Sequence, residues 1–213
     1  MEDRITGYKL EHCRPLCVKA IQSWEKLKEQ LDKALSELDL VPHLKQKFET
    51  ILYHHIPKIC IASCPNSCSQ PQIKDFAVIG YLRPKLTQEP CQGCQACVNV
   101  CIEKAVSWTG QGINLNPELC VQCGACVRSC PSGTLAEEDS GWELRLGGRV
   151  GRHPRFAQTV GRLSSDQKVV SWVIEILDYY LKYGNPEERL SHFLERAVLS
   201  NVPSAHESNG AKD

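Results

Sequence analysis

Between Leu16 and Leu38, the residues Ile21, Trp24, Leu27, Leu31, Leu35 and Leu38 recur at steps of three and four, with lysine and glutamate filling the positions between. An apolar stripe of that period predicts an amphipathic helix lying on a core. Pro42 interrupts it, and "HLKQKFETILYHH" predicts a second, shorter helix that ends before Pro57. The period then changes. "KICIAS" predicts a strand, the Pro, Asn and Ser of "CPNSCSQPQ" a loop, and "DFAVIGYL" a second, buried strand. "GWELRLGG" alternates Trp142, Leu144 and Leu146 against Glu143 and Arg145, the period of a half-buried strand. Helical spacing returns with Val169, Val173, Ile176, Leu177 and Tyr180, behind Ser164 or Ser165 as cap and ahead of Gly184 as stop. Asn185-Pro186 restarts a helix with Leu190, Phe193, Leu194 and Ala197 inward. The closing "VPSAHESNGAKD" has no apolar period and is expected to fray.

Between the strands Phe76–Leu82 and Trp142–Leu146 lies an internal repeat: "CQGCQACVNVC" from Cys91 returns as "CVQCGACVRSC" from Cys120, with every cysteine, an alanine and a valine shared. Segment 89–140 is therefore expected to be a small module inserted into a larger domain made of 1–88 and 141–213, its flanking strands close in space. Helices and strands mix along the chain, so the expected class is α+β, with an α/β-like main part.

Formal net charge over the 213 residues is zero, which gives no electrostatic case for nucleic acid or an anionic membrane as partner. No apolar run approaches the roughly 20 residues of a membrane span. "MEDRITGYKLEHC" is charged and has no apolar signal core, so a cytoplasmic location is expected. Against that background the thirteen cysteines stand out. An odd number of thiols in tight clusters, without an export signal, suits metal ligation in a reducing compartment better than disulfides.

Each repeat has the spacing C-x2-C-x2-C-x3-C. The run resembles that of bacterial two-cluster ferredoxins, in which the fourth cysteine of each run ligates the other cluster. The resemblance implies one [4Fe–4S] cluster on Cys91, Cys94, Cys97 and Cys130, and a second on Cys120, Cys123, Cys126 and Cys101. Gly93, Ala96, Gly124 and Ala125 are small, which lets backbone N–H groups approach the sulfides. Pro131 follows Cys130 as in that pattern, whereas Ile102 follows Cys101. C-x2-C pairs also suit zinc, the competing chemistry.

"SCPNSCSQPQIKDFAVIG" resembles the C-P-N-x-C motif of siroheme-containing sulfite and nitrite reductases. "GGRVGRHPRFAQTV" looks like that family's Gly-rich basic loop, and "EERLSHFLER" like its closing helix. The resemblance implies that Cys64 and Cys68 ligate a third [4Fe–4S] cluster. Cys68 would bridge to the siroheme iron as the catalytic connection, with Asn66 as the family's asparagine beside the cofactor. The family's first pair is spaced C-x5-C. Here "EHCRPLC" supplies Cys13 and Cys17 at a shorter spacing, Cys17 falling where the long helix is expected to begin. Cys60, inside a strand, is the other candidate for the fourth ligand; a buried structural thiol is its plainer role.

Arg149, Arg152, His153 and Arg155, in a loop opened by Gly147 and Gly148, are expected to clamp carboxylates of the ring or an anionic substrate; a solvated loop is the alternative. In that family an N-terminal half precedes the region matched here and supplies much of the siroheme cavity. Three functions follow. The chain is part of a split or compact sulfite or nitrite reductase, fed by an external electron donor and completed by other subunits or a second copy; or an electron-transfer subunit without a complete siroheme site; or a cluster-bearing assembly or regulatory protein.

Overall fold

The computed structural model describes residues 6–197; the closing dozen residues expected to fray lie outside them. In chain order the elements are β1 (Lys9–His12), α1 (Trp24–Leu38), α2 (Leu40–Lys47), β2 (Lys58–Ala62), β3 (Phe76–Leu86), α3 (Ala96–Val100), β4 (Val106–Trp108), β5 (Ile113–Leu115), α4 (Ala125–Arg128), β6 (Leu135–Leu146), β7 (Gln158–Leu163), α5 (Asp166–Tyr183) and α6 (Leu190–Ala197), with a 3-10 turn at Pro71–Ile73. The fold is α+β. Five strands form a mixed sheet in the order β1-β2-β3-β6-β7, and β4 and β5 form a separate hairpin. β1, β2 and β3 run parallel; β6 and β7 are antiparallel to their neighbours.

One sheet face is a conventional core. Ile59, Ile61, Phe76, Val78, Trp142, Leu144 and Leu146 point toward the helices. Trp24, Leu27, Leu31 and Leu35 of α1 meet them from one side, and Val169, Trp172, Val173, Ile176, Leu177 and Tyr180 of α5 from another. Burying each such side chain contributes about 1.5–3 kcal/mol. Ser165 is the cap of α5, accepting the Lys168 N–H at 3.3 Å, and Gly184 ends it with its N–H on Tyr180 O at 2.8 Å.

Residues 63–75, which carry Cys64 and Cys68, connect the parallel strands β2 and β3. Parallel neighbours need a crossover of about a dozen residues, and with helices packed on one face this crossover occupies the other. That face is accordingly lined by small residues, Ala62, Ala77 and Ala157, beside Ile79 and Cys13. Gly80 makes the close pass possible: a Cβ there would stand 2.6 Å from the Ser63 carbonyl oxygen.

Several boundaries differ from expectation. α1 begins at Trp24, not near Leu16, because Leu16 takes a left-handed φ of 53° and the N–H groups of Ile21 and Gln22 go to Ser63 O at 3.1 and 3.3 Å. α2 starts before Pro42 and stops at Lys47; proline is tolerated in a first turn, where no N–H partner exists. α6 starts at Leu190, since Glu187 adopts φ 57°. β1 and β7 are strands the apolar pattern did not predict, and β7 occupies the end of the segment expected as a basic loop.

Asp75 lies buried at the start of β3, with its Oδ2 accepting the Lys58 N–H at 2.9 Å, and burial pushes its carboxyl up to about 6. A carboxyl raised above its unfolded value keeps its proton in the folded chain where the unfolded chain has lost it. The contribution of Asp75 to stability should therefore slope downward as pH rises between about 4 and 6, opposite in sign to that of Glu11, Glu25, Glu188 and Glu195, whose carboxyls are held low. Asp75→Asn is expected to abolish this slope in melting curves; an unchanged slope would assign it to another group.

Candidate metal centres

Each C-x2-C-x2-C run is folded by two left-handed residues at matching places. Gly93 and Gln122 precede the second cysteine at φ 67° and 58°; Gln95 and Gly124 follow it at 55° and 63°. The repeat thus keeps one backbone shape while swapping which position holds glycine. Turns of this kind gather N–H groups into an anion-binding concavity, and α3 and α4 start directly after them. The second run is seated on the main sheet, with Leu82 N–H on Gln122 O at 2.8 Å and Leu82 bridging to Cys123.

The thiols fall into three electrostatic groups. Cys126 is pushed up to about 11, first by burial and then by the charges of Cys120, Cys123 and Cys101. Cys101, Cys120, Cys123 and Cys126 also line one pocket together. Cys97 is raised by burial first, with Cys130 and Cys91 as its thiol neighbours. The fourth cysteine of each run accepts a backbone N–H on its sulfur: Ala105 to Cys101 at 3.2 Å and Leu135 to Cys130 at 3.4 Å.

Cys64 is likewise raised by burial, and its thiol neighbours are Cys13, Cys17 and Cys68. Cys13 Sγ accepts the Ser63 N–H at 3.2 Å, and Cys68 Sγ accepts from Asn66 Nδ2 at 2.8 Å. Cys17 is held below its usual range by the Lys19 N–H and by Arg14. Cys60 behaves differently. It is fully buried, its S–H donates to Ser69 O at 3.3 Å, and burial holds it at about 11.

Among the described residues no three His, Cys, Asp or Glu side chains close on a single metal ion. A cube instead spreads four thiolates over four irons. Four like-charged sulfurs repel one another as bare thiolates, and an iron core offsets that repulsion; the donor set and its N–H···S contacts fit such a group. A cleft of about 540 Å³ separates Cys64 and Asn66 on one wall from Cys101 and Cys123 on the other. Cys68 and Cys94 are the two exposed thiols.

The basic loop is arranged otherwise than its sequence suggested. Arg149 Nη1 meets Glu195 Oε2 of α6 at 2.5 Å, Arg155 meets Oε1 of the same carboxylate at 3.3 Å, and Arg149 Nε donates to His153 O. Arg152 and His153 are exposed. Gly147 and Gly148 dock the end of β6 by giving their N–H groups to Asp75 O and Lys74 O; a Cβ on Gly148 would lie 2.5 Å from Gln72 O. Arg145, which the strand pattern left on a solvent face, instead lines a pocket beside Ser67, together with Arg162 of β7.

A sheet backed by helices, with cysteine sets on its open face, defines an iron–sulfur protein. The chain matches the family described as nitrite and sulphite reductase 4Fe-4S domain over residues 3–208, and it belongs to that family. It is 32% identical over 141 residues to the coenzyme F420-dependent sulfite reductase of Methanocaldococcus jannaschii, a match covering 65% of this chain and 23% of that protein. Against one subunit of the anaerobic sulfite reductase of Salmonella typhimurium it is 34% identical over 143 residues, covering 62% of this chain and 39% of that one. These curated relatives are thus spanned by less than half of their length. Dissimilatory sulfite reductase I has the same fold, with a TM-score of 0.61 at 18% identity over 89% of this chain and 49% of that one. Mycobacterium tuberculosis NirA gives 0.52 at 15% identity, over 91% and 26%. Among the described residues no helix is long and apolar enough to cross a membrane.

Proposed function

We propose that the chain is the cluster-bearing part of a sulfite or nitrite reductase of the siroheme type, with 89–140 as a two-cluster module inserted between 1–88 and 141–213. What supports this is the arrangement of eleven cysteines in three neighbouring groups, with Cys94 adjoining one of them in sequence and Cys101 beside the run it does not belong to. Cys91, Cys94, Cys97 and Cys130 would hold one cube, Cys120, Cys123, Cys126 and Cys101 a second, and Cys13, Cys17, Cys64 and Cys68 a third. Cys13 is assigned over Cys60 because its sulfur already accepts an N–H, whereas Cys60 keeps a proton for Ser69.

Bound cubes supply one-electron storage, and a siroheme supplies the iron at which an oxyanion is reduced. The chain's own residues hold and tune these groups. Asn66 fixes the exposed Cys68 sulfur, leaving it turned toward whatever covers that face. Cys94, exposed on the first repeat, suits contact with an electron donor. An electron-transfer subunit remains the second reading, favoured by the engagement of Arg149 and Arg155 with Glu195 rather than with an open site.

Cofactor analysis of oxygen-free protein, alone and with its native companions, tests the proposal. About twelve irons per chain are expected from cubes, and one more extracting with a tetrapyrrole. Twelve without a tetrapyrrole in any preparation would leave the electron-transfer reading. About eight irons would remove the third centre, and zinc alone would remove all three.

A further inference from the structure

Segment 89–140 joins the main sheet through a narrow part of the β3–β6 ribbon. β2 pairs with β3 only as far as Ile79, and β7 with β6 only as far as Trp142; from there to Leu86 and Leu135 the two strands pair with each other alone. A two-stranded ribbon is marginal by itself. This one is also interrupted, because its register shifts between Arg83 and Pro84 and proline gives no ladder N–H. The ion pairs of Arg83 with Glu138 and Asp139, at 3.0 and 2.8 Å, are half-exposed and tie only strand to strand.

The turn of the second cysteine run braces this bend. On the edge of β3 that β2 has left, Leu82 gives its N–H to Gln122 O at 2.8 Å, and Cys123 forms a parallel bridge to Leu82. Gly124 packs so closely that a Cβ there would stand 3.1 Å from the Leu82 side chain. Pro84 lines the same pocket as Cys101, Cys120, Cys123 and Cys126, so this thiol group sits on the bend itself. The other group is fastened at the far end of the ribbon, where Leu135 N–H meets Cys130 Sγ at 3.4 Å.

Gln122, whose carbonyl receives Leu82, stands at φ 58°, a conformation that a non-glycine residue keeps only where its surroundings enforce it. Cys120 and Cys123 flank it. A metal core held by both enforces that turn, whereas bare thiolates repel one another and open it. Cys101 and Cys123 also wall the cleft of about 540 Å³ opposite Cys64 and Asn66, so the brace sets the width of that cleft.

We infer that the iron centre of the second group is a conformational clasp. Filled, it holds the segment against Leu82 and closes the cleft in front of Cys64; empty, it frees the segment to swing on the ribbon. The centre of the first group has no such effect. The inference rests on the reading of 89–140 as a two-cluster module.

Hydrogen exchange at the Leu82 amide, resolved by fragmentation mass spectrometry on oxygen-free protein whose irons are counted, tests it. Cys126→Ser alters no residue of the brace, yet by emptying the second centre it should speed Leu82 exchange at least about 100-fold. Cys94→Ser, which empties the first centre, should leave Leu82 within about threefold of the parent chain. Neither variant depends on which run supplies the fourth ligand. The Val78 and Leu144 amides, inside the main sheet, should stay as slow as in the parent; if Cys126→Ser fails that check, Cys120→Ser decides in its place. Unchanged Leu82 exchange in a second-centre variant that has lost about four irons would overturn the inference. So would equal acceleration in Cys94→Ser. If the chain took up no iron at 89–140, the two-cluster reading would fail and the inference with it; the expected irons with an unresponsive Leu82 would strike the inference alone.

Discussion

Cys130→Ser is expected to empty the site bounded by Cys91, Cys94 and Cys97 and to spare the site bounded by Cys120, Cys123 and Cys126, although Cys130 belongs to the second run. Cys101→Ser should do the reverse. The reason is spatial: Cys130 is a near charge for Cys97, and Cys101 lines one pocket with Cys120, Cys123 and Cys126. Each variant should lower bound iron from about twelve to about eight per chain, read by anaerobic iron and sulfide analysis, with the surviving cluster identified by its redox and paramagnetic signature. The structural cost should be local and large. The buried apolar cluster of this part is Cys97, Val106, Cys126 and Leu135, so half of that small core would be ligand, and metal binding contributes folding free energy directly. Protease cuts within 89–140 should accompany the lost irons. If each variant lost the cluster of its own run, the cross-pairing would be wrong.

Cys68→Ser is expected to leave both clusters of the repeat in place while removing the spectroscopic coupling between a tetrapyrrole and the third cube. Sulfite- or nitrite-dependent oxidation of a reduced dye should fall to the background without protein. Cys68 is exposed while Cys64 beside it is buried, and the Asn66 amide N–H at 2.8 Å holds its sulfur in position. A serine oxygen in the same place neither bridges nor accepts charge as a thiolate does. Normal turnover in this variant would defeat the assignment of Cys68 as the bridge, and loss of the repeat's clusters as well would mean a general folding effect.

The helices packed on the core were legible because burial on one side imposes a period of three to four residues: Leu27, Leu31 and Leu35, or Val169, Val173, Ile176 and Leu177, announce themselves. β1 and β7 were not. "KLEH" and "QTVGRL" form the two edges of the sheet, where one neighbour supplies the hydrogen bonds and half-exposed side chains need not be apolar. Glu143 and Arg145 alternate with buried residues as a solvent face does, yet the crossover at 63–75 covers that face and turns them into pocket wall. In the basic loop, the pairing of Arg149 and Arg155 was not legible because their partner, Glu195, lies far along the chain on α6.

Within each four-cysteine run the covalent spacing alone keeps three thiols close together, so the sequence by itself determined that clustering and the expectation of metal chemistry that follows from it. It also determined the strands that flank the repeat and the helices that close the core. Only the tertiary structure decided which thiols are neighbours across the chain: Cys101 with the second run, Cys130 with the first, and Cys13 with Cys64 while Cys60 turns to Ser69. Those groupings depend on where the β2–β3 crossover and the β3–β6 ribbon bring distant segments together, and local spacing carries no information about such contacts.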